Sequence, residues 1–485
     1  MRIALIVLAS ALVAVPAADA YKNPTRGRAL VLQVSGMHRA KVTRNIVYKR
    51  TPRLRMDVYR PRGTRGPLPA VLLGGPPGFD KDTGQKIGWA QLIAASGMSA
   101  VAFETRSDNH LQAPQKPSRD VASAIAYVRS HAKRLGIDPN RLCTLGFSVG
   151  TAPWHLWATM REPQPWLRCN VVYYGPLDFR SPAFRIDRGL VDEYSASTYL
   201  HRFGGRIPPM LVVKAGRDST VGINETIDRF VAEAAPLHAD VQLVTYPEGV
   251  HGFDVEQRTA PARAIVRRTL RYLQARLAPP LRVVDTCATA TERAGALRFF
   301  ARDDTPLAGV VLGSAARGIV LGHGQGSDIC EWLPYARGLA ADGYRVLAYD
   351  ARSGLRVDLD MAAAIEALRR TGTEHVVAMG SSMGAIAAIV GSASLAVPPA
   401  AVVSLSAPAS FGPLHGLEAV GGMTAPIFFA ASNDDDPFAG DARAMYAASA
   451  SPDRRLVMLP GAVHGSGMLA DPGFSAQVAQ FLAAH

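Results

Sequence analysis

Short runs of consecutive apolar residues alternate with longer stretches of helical periodicity along most of the chain. The run 69–74 (PAVLLG) has no polar face and is too short for a helix, which marks a strand buried on both sides. A helical pattern over 87–96 closes at Gly97, and an apolar strand follows at 99–103. Ser118 reads as the N-cap of a helix reaching about Leu135, and 141–146 as a strand that gives way to a helix after Ser148. Strands at 171–174, 210–214 and 241–246 come next, then an arginine-rich amphipathic helix at 261–277. Strand and helix alternating in this way predict a mostly parallel sheet covered by helices.

Periodicity fades across 278–295, which contains Pro279-Pro280, and the alternation then restarts. Strands are expected at 318–322, 344–349, 375–379, 401–405, 426–430 and 455–459, with helices at 358–370 and after Ser382. The second half also repeats residues of the first, in the same order. Phe103-Glu104-Thr105-Arg106-Ser107 returns as Tyr349-Asp350-Ala351-Arg352-Ser353, and Gly146-Phe147-Ser148-Val149-Gly150 as Gly380-Ser381-Ser382-Met383-Gly384. Pro247-Glu248-Gly249-Val250-His251-Gly252 returns as Pro460-Gly461-Ala462-Val463-His464-Gly465. The expectation is an α/β protein of two tandem domains, 21–279 and 295–485, joined by a linker at 280–294.

Residues 1–20 stand apart. Arg2, the apolar run 3–15 and Ala18-Asp19-Ala20 have the order of a secretory signal peptide, so the protein is expected to be secreted or periplasmic. That run is shorter than the ~20 residues a membrane span requires, and no later segment is long enough, so no stable membrane insertion is expected. Among 485 residues, 48% are hydrophobic and 19% charged, a globular composition. The net charge of +13 is spread over scattered arginines, with short clusters at Arg50 to Arg55 and Arg267-Arg268. No nucleic-acid-binding module is visible, and a weak affinity for anionic polymers is all that the charge implies. Four cysteines, Cys143, Cys169, Cys287 and Cys330, suit disulfides in an exported protein. Pairing within each half gives Cys143–Cys169 and Cys287–Cys330, but three pairings are open, and Cys143 reads equally well as a reduced core residue. Spacing of the zinc-binding type is missing.

The two glycine-serine-glycine pentads follow an apolar strand and open a helix. A nucleophilic serine needs that context: a tight strand-to-helix turn exposes its hydroxyl and aims the next backbone N–H at a developing oxyanion. A serine hydroxyl also needs a base, oriented by a carboxylate. Asp218 and His251 leave the C-terminal ends of two strands and so reach the edge where Ser148 sits. His464 takes the corresponding place for Ser382, and Asp434, Asp435 and Asp436 compete as its acid, with Asp436 preferred and Asp435 second. Expected oxyanion donors are the N–H groups of Val149 and Gly75 in the first half, and of Met383 and Gln325 in the second. Pro76 and Pro77 follow Gly75 and have no N–H to offer. His110 and His155 lie near the same edge, where packing or surface roles are expected of them. Trp154, Trp157 and Trp166 are candidates for a cleft or for ordinary core, and the long segment 179–206 for a small cap over the first site.

At these residues the chain resembles the α/β-hydrolase superfamily over nearly its whole length after the leader. Leu135-Gly136-Ile137-Asp138-Pro139-Asn140-Arg141, leading into Gly146-Phe147-Ser148, resembles the approach to the nucleophile in acetyl-esterase, carbohydrate-esterase and prolyl-oligopeptidase-like members. Asp57-Val58-Tyr59-Arg60-Pro61 resembles an early strand of such esterases. The loops from Gly216 and Val250 resemble the acid and histidine loops of dienelactone-hydrolase-like enzymes. The second half is similar to small lipase-like and esterase-like members. This resemblance implies Ser148, Asp218 and His251 as one triad and Ser382, Asp436 and His464 as another. It also implies a serine hydrolase acting on small-molecule or polymer-linked carboxylic esters without metal or organic cofactor. A serine peptidase or acyltransferase would use the same residues, and a third reading makes one domain a non-catalytic binding module.

Overall fold

The computed structural model describes residues 28–74, 81–106 and 111–485. The leader, the segment with Gly75, Pro76 and Pro77, and His110 lie outside the described residues.

Two eight-stranded sheets follow one another. The first contains β1 (Lys41–Lys49), β2 (Leu54–Arg60), β3 (Leu68–Leu73), β4 (Ser99–Phe103), β5 (Ile137–Phe147), β6 (Leu167–Tyr173), β7 (Met210–Ala215) and β8 (Val241–Tyr246). Its order is β1-β2-β4-β3-β5-β6-β7-β8, antiparallel only where β2 meets β1 and β4. The second contains β9 (Leu297–Phe300), β10 (Pro306–Leu312), β11 (Arg317–Gly322), β12 (Arg345–Tyr349), β13 (His375–Ser381) and β14 (Ala401–Leu405). After a small hairpin, β15 (Ser410–Phe411) with β16 (Leu414–His415), it closes with β17 (Ile427–Ser432) and β18 (Arg454–Leu459). The order β9-β10-β12-β11-β13-β14-β17-β18 is the first order repeated. Every residue of β4 and β14 is buried, as an apolar run without alternation requires. Each sheet separates two apolar clusters, one under the helices of each face.

Several local expectations are corrected. The helix expected from Ser118 begins at Gln115 and breaks at His131, giving Gln115–Ser130 and Ala132–Leu135. Ser118 is no cap: its Oγ donates back to the Pro114 carbonyl at 2.6 Å, one turn earlier. The stretch 280–294 is not a bare linker, because Val283 and Ala288 are buried in the second half's core. It also contains the helix Ala290–Ala294, capped reciprocally by Thr289 and Glu292. Segment 179–206 is largely helical, with Val191–Tyr194 and Ala196–Phe203. Tyr194 stacks on Trp157 and meets Trp154 edge-on, so these tryptophans are core between that segment and the helix Ser148–Met160. Trp166 is buried under the Arg129 guanidinium.

Both cysteine pairs within halves are bonded. Cys143 and Cys169 are register partners on β5 and β6, and Cys287 and Cys330 tie 280–294 to the turn after β11. Polar contacts cross the seam between the halves: His238 Nδ1 lies 3.0 Å from Glu366, Gln242 donates to Asp304 at 2.9 Å, and Arg276, paired with Asp240, covers the Phe300 ring. Glu366 is pushed up by burial, but hydrogen bonds and charge from His238 and Arg369 outweigh this and hold it below the usual carboxylate range.

Candidate active sites

The strand β5 ends at Phe147, and the next residue, Ser148, has φ 54°; β13 ends at Ser381, and Ser382 has φ 52°. A side-chain-bearing residue rarely occupies this left-handed region, and its recurrence at both pentad serines is a strained strand-to-helix turn. The glycines make room for it. A Cβ on Gly380 would lie 2.1 Å from the Gly384 carbonyl oxygen, and one on Gly384 would lie 2.1 Å from that of Gly322.

In the first half, His251 Nδ1 lies 2.7 Å from Asp218 Oδ2, and the Asp218 side chain is wholly buried. The Thr220 N–H donates to its other oxygen at 2.8 Å. The Tyr174 ring lies 4.6 Å from the His251 ring, centre to centre. Tyr174 itself is fixed from below: its hydroxyl donates to Asp254 at 2.6 Å, an acid that also accepts from Trp89 and Gln85. Burial raises the Asp254 carboxyl although these three donors oppose it. Tyr174 and Gly175 lie against the Ser148 turn, since a Cβ on Gly175 would be 3.2 Å from the Ser148 carbonyl oxygen. Asp218 and His251 are thus paired as expected, on a wall shared with Ser148.

In the second half the carboxylate against the histidine is that of Asp435. His464 Nδ1 lies 3.0 and 2.9 Å from its two oxygens, whereas the expected Asp436 is exposed, as is Asp434. The reason is register. Asp218 stands three residues past the end of β7, and its N–H bonds the Ala215 carbonyl. Asp435 stands three residues past the end of β17, and its N–H bonds the Ser432 carbonyl. One residue further, the side chain turns to solvent. Sequence reasoning missed Ser406, whose Oγ donates to Asp435 at 2.8 Å and accepts the Gly465 N–H at 2.9 Å. It occupies the position of Tyr174, directly after the sixth strand of its sheet, and both residues have positive φ. The histidine loop lies against the nucleophile turn, with the Ser466 N–H donating to Ser381 Oγ at 3.1 Å.

Sequence reasoning also missed Glu331. One of its oxygens accepts the Gly324 N–H at 2.8 Å, and the other accepts the Ser466 hydroxyl at 2.9 Å. This carboxylate therefore ties the glycine loop after β11 to the histidine loop. A Cβ on Gly324 would stand 3.7 Å from the Ser382 Cβ, so that loop borders Ser382. With the Gly324 N–H taken, the Gln325 and Met383 N–H groups have no acceptor among the described residues. In the first half the Val149 N–H directly follows Ser148, while Gly75 lies outside the described residues.

Both histidines turn Nδ1 to their carboxylate. Among the described residues Nε2 of each has no hydrogen-bond partner, and no hydrogen bond joins it to Ser148 or Ser382. A second repeated element braces each edge: Arg106 Nε and N–H donate to Asp120 at 2.9 Å, and Arg352 Nε and N–H donate to Asp360 at 2.8 Å. His155 is excluded from chemistry by burial, which with the nearby Lys86 charge pushes its pKa down to about 3; it stacks on Phe103. The cluster Asp285, Asp328 and Cys330 has metal-like spacing, but the Cys330 sulfur is bonded to Cys287.

The repeated strand order and the strained serine after each fifth strand define an α/β-hydrolase fold in each half. The BD-FAE family, of the α/β-hydrolase type, matches residues 56–165, a stretch containing Ser148. No curated protein matches the chain. Similar solved structures include Thermogutta terrifontis esterase 2 phosphorylated by paraoxon, at 22% identity and TM-score 0.40, covering 51% of this chain and 97% of that one. A thermostable esterase from Pseudomonas putida ECU1011 is 18% identical with TM-score 0.43, covering 52% of this chain and 86% of that one. Among the described residues no helix is long and apolar enough to cross a membrane.

Proposed function

We propose that the protein is an exported serine hydrolase that cleaves carboxylic esters through an acyl-serine intermediate, with one site in each half. Ser148 works with His251 and Asp218, and Ser382 with His464 and Asp435. Each serine oxygen attacks the ester carbonyl carbon while its proton passes to histidine Nε2. The carbonyl oxygen becomes an oxyanion, received in the second half by the Gln325 and Met383 N–H groups. Collapse of the intermediate expels the alkoxide, which takes the proton from histidine; water then repeats the sequence on the acyl-serine. The observation that carries this reading is the buried carboxylate on Nδ1 of each histidine, which leaves Nε2 as the basic nitrogen. Two disulfides and the leader-like residues 1–20 support export to an oxidising compartment.

Fluorophosphonate labelling tests the assignment. Wild type is expected to take two adducts, Ser148→Ala and Ser382→Ala one each, and the double variant none. Full labelling of the double variant excludes both serines. Turnover of short-chain nitrophenyl esters alongside peptide substrates then separates an esterase from a peptidase.

A further inference from the structure

We infer that the first half carries a second binding site, unconnected with ester cleavage: a groove that takes an acidic oligosaccharide. The groove encloses about 1190 Å³ between the outer strands β1 and β2 and the helices Gln115–Ser130 and Ala132–Leu135. None of Ser148, Asp218 and His251 lines it.

Its walls hold Lys41, Arg50, Arg60, Arg65 and Arg134, and no aspartate or glutamate is among the described lining residues. Elsewhere in the chain, Lys49 and Arg106 are paired with Asp120, and Arg276 with Asp240. Among the described residues none of the five groove cations forms an ion pair. Arg60 is held in place, donating to the Gly66 carbonyl at 2.8 Å, yet its Nε is buried without a partner. Like charges gathered in a concavity repel one another and focus a positive potential into it, and a bound polyanion relieves both.

The remaining lining selects among polyanions. A concave groove does not fit the plane of a bilayer. The Tyr127 ring is stacked on His131 at 4.0 Å and lies under Arg134, so it offers no free platform for a nucleobase. Ile46, Val58 and Leu135 make an apolar floor. That floor suits the C–H face of a sugar ring and would be left bare by inorganic polyphosphate. Uronate carboxylates and sulfate esters share the required chemistry.

Fluorescence anisotropy of the purified full-length protein with labelled oligogalacturonate and, separately, a heparin oligosaccharide tests the assignment. Binding of either is expected, with neutral dextran inert. Arg50→Gln/Arg65→Gln/Arg134→Gln should weaken binding about tenfold or more and leave nitrophenyl ester turnover unchanged. Independently of any variant, the bound oligosaccharide should protect Lys41 from acylation by an amine-reactive reagent. A carboxylate preference or a sulfate preference identifies the natural anion. Failure of both sugars to bind overturns the inference. So does full binding by the triple variant without Lys41 protection, or tenfold tighter binding of single-stranded DNA or polyphosphate.

Discussion

The two halves share strand order and nucleophile turn but support their histidines differently. In the first, His251 Nδ1 meets Asp218 at 2.7 Å and the Thr220 hydroxyl at 3.4 Å, beside an aromatic wall, Tyr174, fastened to a buried acid. In the second, a hydroxyl replaces the phenol: Ser406 bonds the acid itself, and Asp435 presents both oxygens to His464. The Phe438 ring, 4.4 Å away, packs on the histidine from another direction. The second half adds Glu331 as a strut between its glycine and histidine loops. One backbone design thus tolerates two bracing schemes, a hydrogen-bonded tyrosine wall beside the histidine in one half and a serine bonded to the acid itself in the other. The networked site should depend more on single polar residues.

Breaking the histidine–acid pair should give the largest effect. In a Ser148→Ala background, Asp435→Asn is expected to lower kcat at the second site about 10⁴-fold, because the amide favours the wrong imidazole tautomer. Asp436→Asn should stay within about twofold, as an exposed residue away from the reacting atoms. Equal losses in the two variants would overturn the choice of acid.

The repeated arginine–aspartate braces come next. Asp120 has two cations, Arg106 and Lys49, and they outweigh burial to hold its carboxyl below the ordinary range. At Asp360, burial outweighs Arg352 and pushes the carboxyl up. Arg352→Ala strands a buried acid and should cost about 3–5 kcal/mol, read from urea unfolding, whereas Arg106→Ala should cost less because Lys49 remains. The reverse ranking would show that Lys49 adds nothing.

Glu331→Gln sharpens the contrast between the networked and unnetworked sites. The amide oxygen can still accept the Gly324 N–H and the amide NH2 can donate to the Ser466 hydroxyl oxygen, so both ties persist but lose the strengthening charge of the carboxylate. Second-site kcat is expected to fall about tenfold, with KM, first-site activity and thermal midpoint little changed. A shift in KM alone would argue against loop positioning.

The smallest effect concerns Asp350, which stands where the first half has Glu104. Burial first, then the neighbouring Asp285 charge, raise its pKa to about 6. The folded state therefore keeps a proton that the unfolded chain gives up near pH 4, and stability falls as pH rises through this window. Asp350→Asn should flatten that slope, gaining on the order of 1 kcal/mol relative to wild type at pH 7.5 and nothing at pH 4, after allowing for solvent screening. Parallel pH profiles of the two proteins would sink the prediction.

Much of this architecture was legible in the sequence. The central strands show as uninterrupted apolar runs because both their faces are covered. The outer strand β1 was not, because only one of its residues is buried and its pattern is mixed. Ser118 shows why a cap signal can mislead: the same hydroxyl that closes a helix start can bond one turn back within a helix. Three adjacent aspartates look alike as letters, yet counting from the strand end in each half places Asp435 opposite Asp218. Glu331 had no local signal at all, since its two partners lie 7 and 135 residues away in sequence.

The separation of the apolar clusters has a consequence for damage. Because no apolar cluster among the described residues spans both halves, one half can melt without stripping the oily interior of the other. Heat, proteolysis or a harmful substitution in one half should leave its twin working. Such a molecule loses its capacity by halves.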